Sequence, residues 1–127
     1  MSANSPSSRA PIAGMAVLAL RIIVGLVFIA AGGAKLAGAP QMVAIFDQIG
    51  IGQWFRIVTG IVEITGGVLL IWPGRSAYGA LLLTLTMAGA LFTHIVKIGG
   101  TWQPAAVLFA LSALLVWFYR VQLERHR

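Results

Sequence analysis

The fold class this sequence predicts is an all-α membrane protein, with four transmembrane helices in an antiparallel bundle, and three observations predict it. Four apolar runs are each long enough, or nearly so, to cross a hydrocarbon core of roughly 30 Å at about 1.5 Å per residue. The composition, 59% hydrophobic and 9% charged over 127 residues, cannot clothe a water-facing surface, since soluble domains carry about 25% charge. All four tryptophans (Trp54, Trp72, Trp102 and Trp117) fall at or beside the ends of these runs, with Tyr78 and Tyr119. That is the placement an interfacial aromatic belt requires.

The elements follow in order. Residues 1–11 are polar and Ser-rich, and read as a short disordered tail. The first span runs from Ile12 to Leu36, with Pro11 as its start signal. It is too long for a signal peptide, and Arg21 interrupts the apolar core such a peptide needs. Gly38 and Pro40 stop it. The segment PQMVAIFDQIGIG then places Met42, Ile45, Phe46 and Ile49 at i, i+3, i+4 and i+7. One apolar face on a segment too short to span describes a helix lying in the membrane interface. Trp54 to Trp72 is the second span, ended by Pro73-Gly74, and Ser76 to Ile98 the third. After a turn at Gly99 to Gln103, Pro104 to Tyr119 is the fourth, making residues 12–120 one membrane domain. Residues 121–127 form a basic tail. Short connections make successive spans antiparallel neighbours. A lysine ahead of a Gly/Pro stop follows both the first and third spans (Lys35, Lys97), but two matches do not make a duplication.

The net charge of +6 does not indicate a nucleic-acid partner, because the basic residues are scattered singly between apolar runs. They read as topology determinants. Arg9, Arg75, Arg120, Arg125 and Arg127 fall on one side, and Lys35, Arg56 and Lys97 on the other, which predicts cytoplasmic N and C termini in a multi-pass protein of the cell membrane.

Arg21 lies nine residues into the first span, roughly 13–14 Å deep, and cannot lose its proton. Such a group needs a buried partner. Glu63 lies nine residues into the second span from the opposite face, so the sequence predicts a mid-bilayer ion pair, Arg21–Glu63. Arg21, Gly25, Phe28, Gly32 and Lys35 share one helical face. Thr59, Glu63, Gly66 and Gly67 form a polar, small-residue stripe on the second span. Gly25, Gly32, Gly66 and Gly67 therefore serve helix packing or open a cleft for a flat ligand. His94, near the end of the third span, combines with Lys35 and Lys97 in a polar cluster suited to an anionic or carbonyl-bearing head group such as a quinone. No Ser/His/Asp arrangement, phosphate loop or metal-ligand spacing is present, and no catalytic residue is assigned. Haem does not fit, since the second histidine, His126, sits in the tail. With no cysteine, the chain has no disulfide or thiolate cluster of its own. No covalent cofactor and no metal are expected.

At these residues the sequence resembles the DoxX family of small four-helix membrane proteins. The matching stretches are LRIIVGLVFIAAGGAKL, VEITGGVLLI and GRSAYGALLLTLTMAGALFTH, covering about Leu20 to Tyr119. The family pattern falls on Arg21, Gly25, Lys35, Glu63, Gly66, Gly67 and His94. The family takes its name from a small subunit of a terminal quinol oxidase, and relatives are associated with thiosulfate:quinone oxidoreduction and membrane-bound oxidoreductase assemblies. The resemblance thus implies a non-catalytic accessory subunit that positions a quinone or redox enzyme subunits within a homo- or hetero-oligomer in the lipid bilayer. Two other readings stand beside it: a small-solute or proton transporter with Glu63 as carrier, and a structural or chaperone-like assembly factor.

Overall fold

A computed structural model describes residues 10–98 and 102–125 of the chain, with side chains described over 14–97 and 102–121. Most of the proposed N-terminal tail, most of the turn after the third span, and His126 lie outside the described residues. Helix α1 runs Ala10–Ala37, α2 Pro40–Ile49, α3 Gln53–Ile71, α4 Ser76–Thr93 and α5 Gln103–Arg125. Among the described residues there is no strand, and α1, α3, α4 and α5 are each long and apolar enough to cross a membrane. The four expected spans and the short intervening helix are therefore all present. Three boundaries differ. Helix α1 begins inside the stretch read as tail, and α5 continues to Arg125, because VQLER has no helix breaker whatever its polarity. The third span changes character at its end, where His94–Ile98 form a π-helical turn.

Sequence chemistry explains the connections. Gly38, with φ at 76°, closes α1: the Gly38 amide bonds the Lys35 carbonyl and the Ala39 amide the Ala34 carbonyl. Pro40 then starts α2, and Gly50 in the left-handed region ends it with its amide on the Phe46 carbonyl. Phe46 and Ile49, half of the expected apolar face, are buried, and the Phe46 ring meets Phe55 edge-on at 5.7 Å. Helix α2 thus rests on α3, and it also touches the π turn after α4.

The bundle closes in chain order, α1 on α3, α3 on α4 and α4 on α5, with a much shorter seam between α5 and α1. Val24 and Phe28 of α1, Leu70 of α3, Ala80, Leu83 and Met87 of α4, and Leu115 of α5 form the shared core. Many other large apolar side chains, such as Ile23, Leu26, Leu85 and Phe92, are exposed on the outside of the bundle. That is the distribution a lipid-solvated bundle needs.

Two glycine pairs set the α1/α3 register. A Cβ on Gly67 would lie 2.7 Å from the Gly25 carbonyl oxygen, and one on Gly32 would lie 2.6 Å from that of Gly60. Backbones this close tolerate only glycine. The pairs are seven residues apart on both helices. Gly66 faces the other way, against Leu83 of α4, where Gly79 in turn abuts the α3 backbone at Leu69, Leu70 and Gly66.

Candidate functional site

The glycine register decides which charges meet. Glu63 lies level with Ile29 of α1, about eight residues, or roughly 12 Å, along the axis from Arg21. The expected Arg21–Glu63 ion pair is not formed. Instead Lys35 Nζ sits 2.8 Å from Glu63 Oε1, with side chains 14% and 4% exposed. The direction of side chains on a helix gives the reason. Each Cα–Cβ bond tilts toward the helix N-terminus. Lys35, near the C-terminal end of α1, leans back into the bundle, and Glu63 on antiparallel α3 leans toward it. Arg21 leans the same way as Lys35, toward the start of α1, and from its place nearer that start this carries it out of the bundle and away from Glu63.

Arg21 is occupied at the bundle's other end. Its Nη1 donates to the Tyr119 hydroxyl and its Nη2 to the Ile71 carbonyl, both at 3.4 Å, and its guanidinium lies 5.3 Å from the centre of the Tyr119 ring. Ile71 is the last residue of α3, so Arg21 marks the end of that span rather than mid-membrane. Depth counted from the start of an apolar run misplaced it, because α1 overhangs α3 by about two to three turns.

Arg56 plays the reciprocal part. Its Nη1 donates to the Lys35 carbonyl in the last turn of α1, and its Nε donates to Gln53 Oε1 at 2.8 Å. Gln53 Nε2 donates in turn to Asp47 Oδ1 at 2.8 Å and to the Val43 carbonyl at 3.0 Å. A continuous polar chain thus ties α2 to the end of α1 and the base of α3. Each arginine supplies a donor and a positive charge to a carbonyl in the last turn of a helix.

This reciprocity is written in the sequence. Residues 21–32 read RIIVGLVFIAAG and residues 56–67 read RIVTGIVEITGG, six of twelve positions identical at an offset of 35. Antiparallel packing turns that repeat into a local two-fold axis between α1 and α3. A search for it would have found Arg56 and Gly60, which reading single spans missed. The two-fold breaks in charge at one place: Phe28 and Leu70, buried together in the core, occupy the positions equivalent to Glu63 and Lys35. One half of the helix pair carries an ion pair where the other carries hydrocarbon.

The remaining site residues are dispersed. Gly25, Gly32 and Gly67 line the α1/α3 contact and Gly66 the α3/α4 contact, so all four are filled by neighbouring helices. Thr59, Thr65, Thr84 and Thr86 turn their hydroxyls onto carbonyls of their own helices and present no free polar stripe. His94 opens the π turn with Nδ1 buried and without a hydrogen-bond partner, and Lys97 is exposed on the same turn. Among the described residues, no hydrogen bond or ion pair joins Lys35 to His94 or Lys97. Sequence reasoning also passed over Ser112, fully buried on α5 with its hydroxyl unpaired. No group of three or more metal-ligating side chains occurs among the described residues.

Comparison with known proteins identifies the lineage. The family model described as the DoxX-like family matches residues 19–118. The chain belongs to the DoxX-like family. Among curated relatives it is 31% identical over 80 residues to the Bacillus subtilis protein named "Putative oxidoreductase CatD", a match covering 63% of this chain and 60% of that protein. It is 28% identical over 105 residues to B. subtilis YdgD, covering 80% and 88% of the two, and 34% identical over 88 residues to a Haemophilus influenzae protein, covering 68% and 65%. The matched region is thus about three fifths of the length of CatD. No solved structure matches the chain. This DoxX-like chain is a multi-pass membrane protein whose buried Lys35–Glu63 pair is the chemical singularity of its α1/α3 wall.

Proposed function

We propose that this DoxX-like protein is an accessory membrane subunit of a quinone-linked oxidoreductase. It holds a quinone head group or a redox partner at the Lys35–Glu63 end of the bundle and transfers no electrons itself. The observation that carries the proposal is the ion pair at positions where the repeat's other half is packed with Phe28 and Leu70. An ion pair in oil adds little stability over well-packed apolar residues, and intramembrane ionisable groups mark ligand or proton pathways. Lys35 offers a donor to a carbonyl oxygen, and Glu63 offers a carboxylate beside it. His94, on the π turn near the same membrane face, adds an unpaired ring nitrogen; π turns recur at functional sites. The oxidoreductase name carried by CatD supports the redox setting. In this arrangement both chain termini face the cytoplasm, as the arginine distribution favours.

Mild-detergent purification of the full chain from its native host tests the proposal. Redox subunits or extractable quinone should co-purify, and both should be lost from the Lys35→Leu/Glu63→Phe double variant, which restores the repeat's apolar half. A lone, quinone-free protein from several growth conditions, or unchanged co-purification with the double variant, overturns it.

A further inference from the structure

The end of the bundle remote from Lys35–Glu63 carries a groove of its own. Between the first turns of α1 and the last turns of α5, where the bundle closes least, lies a groove of about 310 Å³ lined by Gly14, Val17, Phe118 and Tyr119. Small-molecule sites begin near that volume, at about 300 Å³. Gly14, Val17 and Arg21 follow one another at i, i+3 and i+7, so they share a face of α1. Arg21 lies one turn below Val17 and leans outward toward the groove. Its guanidinium lies against the Tyr119 ring that forms part of the groove wall. Its Nε is buried without a hydrogen-bond partner, and the two bonds it does make are long, at 3.4 Å. The described carboxylates are engaged at the opposite end, Glu63 by Lys35 and Asp47 by Gln53.

We propose that this groove binds an anionic phospholipid, with the phosphate seated against the Arg21 guanidinium and the Tyr119 hydroxyl and the acyl chains left in the bilayer. The position suits that occupant. Arg21 is level with the end of α3, at the boundary where head groups lie, and exposed Arg75 and Arg120 make the same face electropositive. Arginine's planar fork matches phosphate oxygens, and such bonds are short and charge-assisted. A phosphate therefore displaces two weak contacts for stronger ones and engages the idle Nε. The apolar walls exclude a freely hydrated anion and accept a glycerol backbone. Arg120 differs: its guanidinium is spent on the Trp117 carbonyl and ring, and it faces solvent.

Native mass spectrometry of the full chain in mild detergent, titrated with phosphatidylglycerol or phosphatidylcholine of matched acyl chains, tests the site. One well-placed basic residue near a membrane surface changes anionic-lipid binding by about fivefold. Phosphatidylglycerol should therefore be retained at least about fivefold better than phosphatidylcholine. Arg21→Gln should erase that preference. Gly14→Phe should lower binding as much without lowering the unfolding midpoint, since a Cβ there meets nothing within 4 Å. Arg120→Gln should leave the preference in place. Equal retention of the two lipids, wild-type binding by Gly14→Phe, or an Arg120→Gln loss equal to that of Arg21→Gln overturns the proposal. None of these results bears on the Lys35–Glu63 end, so the two proposals stand or fall separately.

Discussion

Lys35 and Glu63 make a pair whose two halves should be unequally costly to remove. Lys35→Leu strands a carboxylate that is 4% exposed and has no other cation beside it among the described residues. Breaking a buried pair this way costs about 3–5 kcal/mol. Glu63→Phe strands an ammonium that is 14% exposed, in the last turn of α1. That side chain can swing out to the head groups, where it also favours the helix C-terminus, so its loss should cost only about 1–2 kcal/mol. The double variant puts hydrocarbon at both positions and should return to within about 1.5 kcal/mol of the parent. The coupling energy then comes to about 4 kcal/mol. Reversible unfolding by SDS titration in mixed micelles, followed by far-UV circular dichroism, measures all four corners of the cycle. A matching cycle of Arg21→Ala with Glu63→Gln should be additive to within about 0.5 kcal/mol, because the two residues share no partner. Equal costs for the two single variants, additivity at Lys35–Glu63, or coupling above about 1 kcal/mol at Arg21–Glu63 refutes the reasoning.

Other expectations follow from the helix contacts and read out in the same assay. Gly67→Val drives a branched side chain into the Gly25 carbonyl and should cost about 3 kcal/mol or more, whereas Gly33→Ala, which meets nothing within 4 Å, should gain about 0.5–1 kcal/mol. A Gly67→Val protein as stable as the parent would mean that α1 and α3 are not this close. Arg56→Ala removes the donor to the Lys35 carbonyl and should cost about 1–2 kcal/mol, with faster amide exchange confined to the end of α1 and to α2. Ser112→Ala deletes a buried hydroxyl without a partner and should be neutral or stabilising by up to about 1 kcal/mol. A marked loss instead would reveal a partner for that hydroxyl.

Class and spans were legible in the sequence, because solvent alone decides them. A chain 59% hydrophobic and only 9% charged cannot face water, and the span ends carry the tryptophans and helix-stopping glycines and prolines that a bilayer selects. Gly25, Gly32, Gly66 and Gly67 were expected at helix contacts or a cleft, and neighbouring helices fill the space beside all four, whereas Gly33 on the same first span meets nothing. Which residue meets which was not legible. Counting depth along one run gave Arg21 to Glu63, since a count along a single helix contains neither the offset of its neighbour nor the lean of its side chains. The offset is fixed where the backbones of Gly25 and Gly67, and of Gly32 and Gly60, come too close for any Cβ. The lean is fixed by helix polarity, which sends Lys35 inward to Glu63 and Arg21 outward to Tyr119. Composition and periodicity are properties of one chain segment, and the sequence determines them by itself. A charge pair is a property of two segments in register, and only the packed bundle decides it.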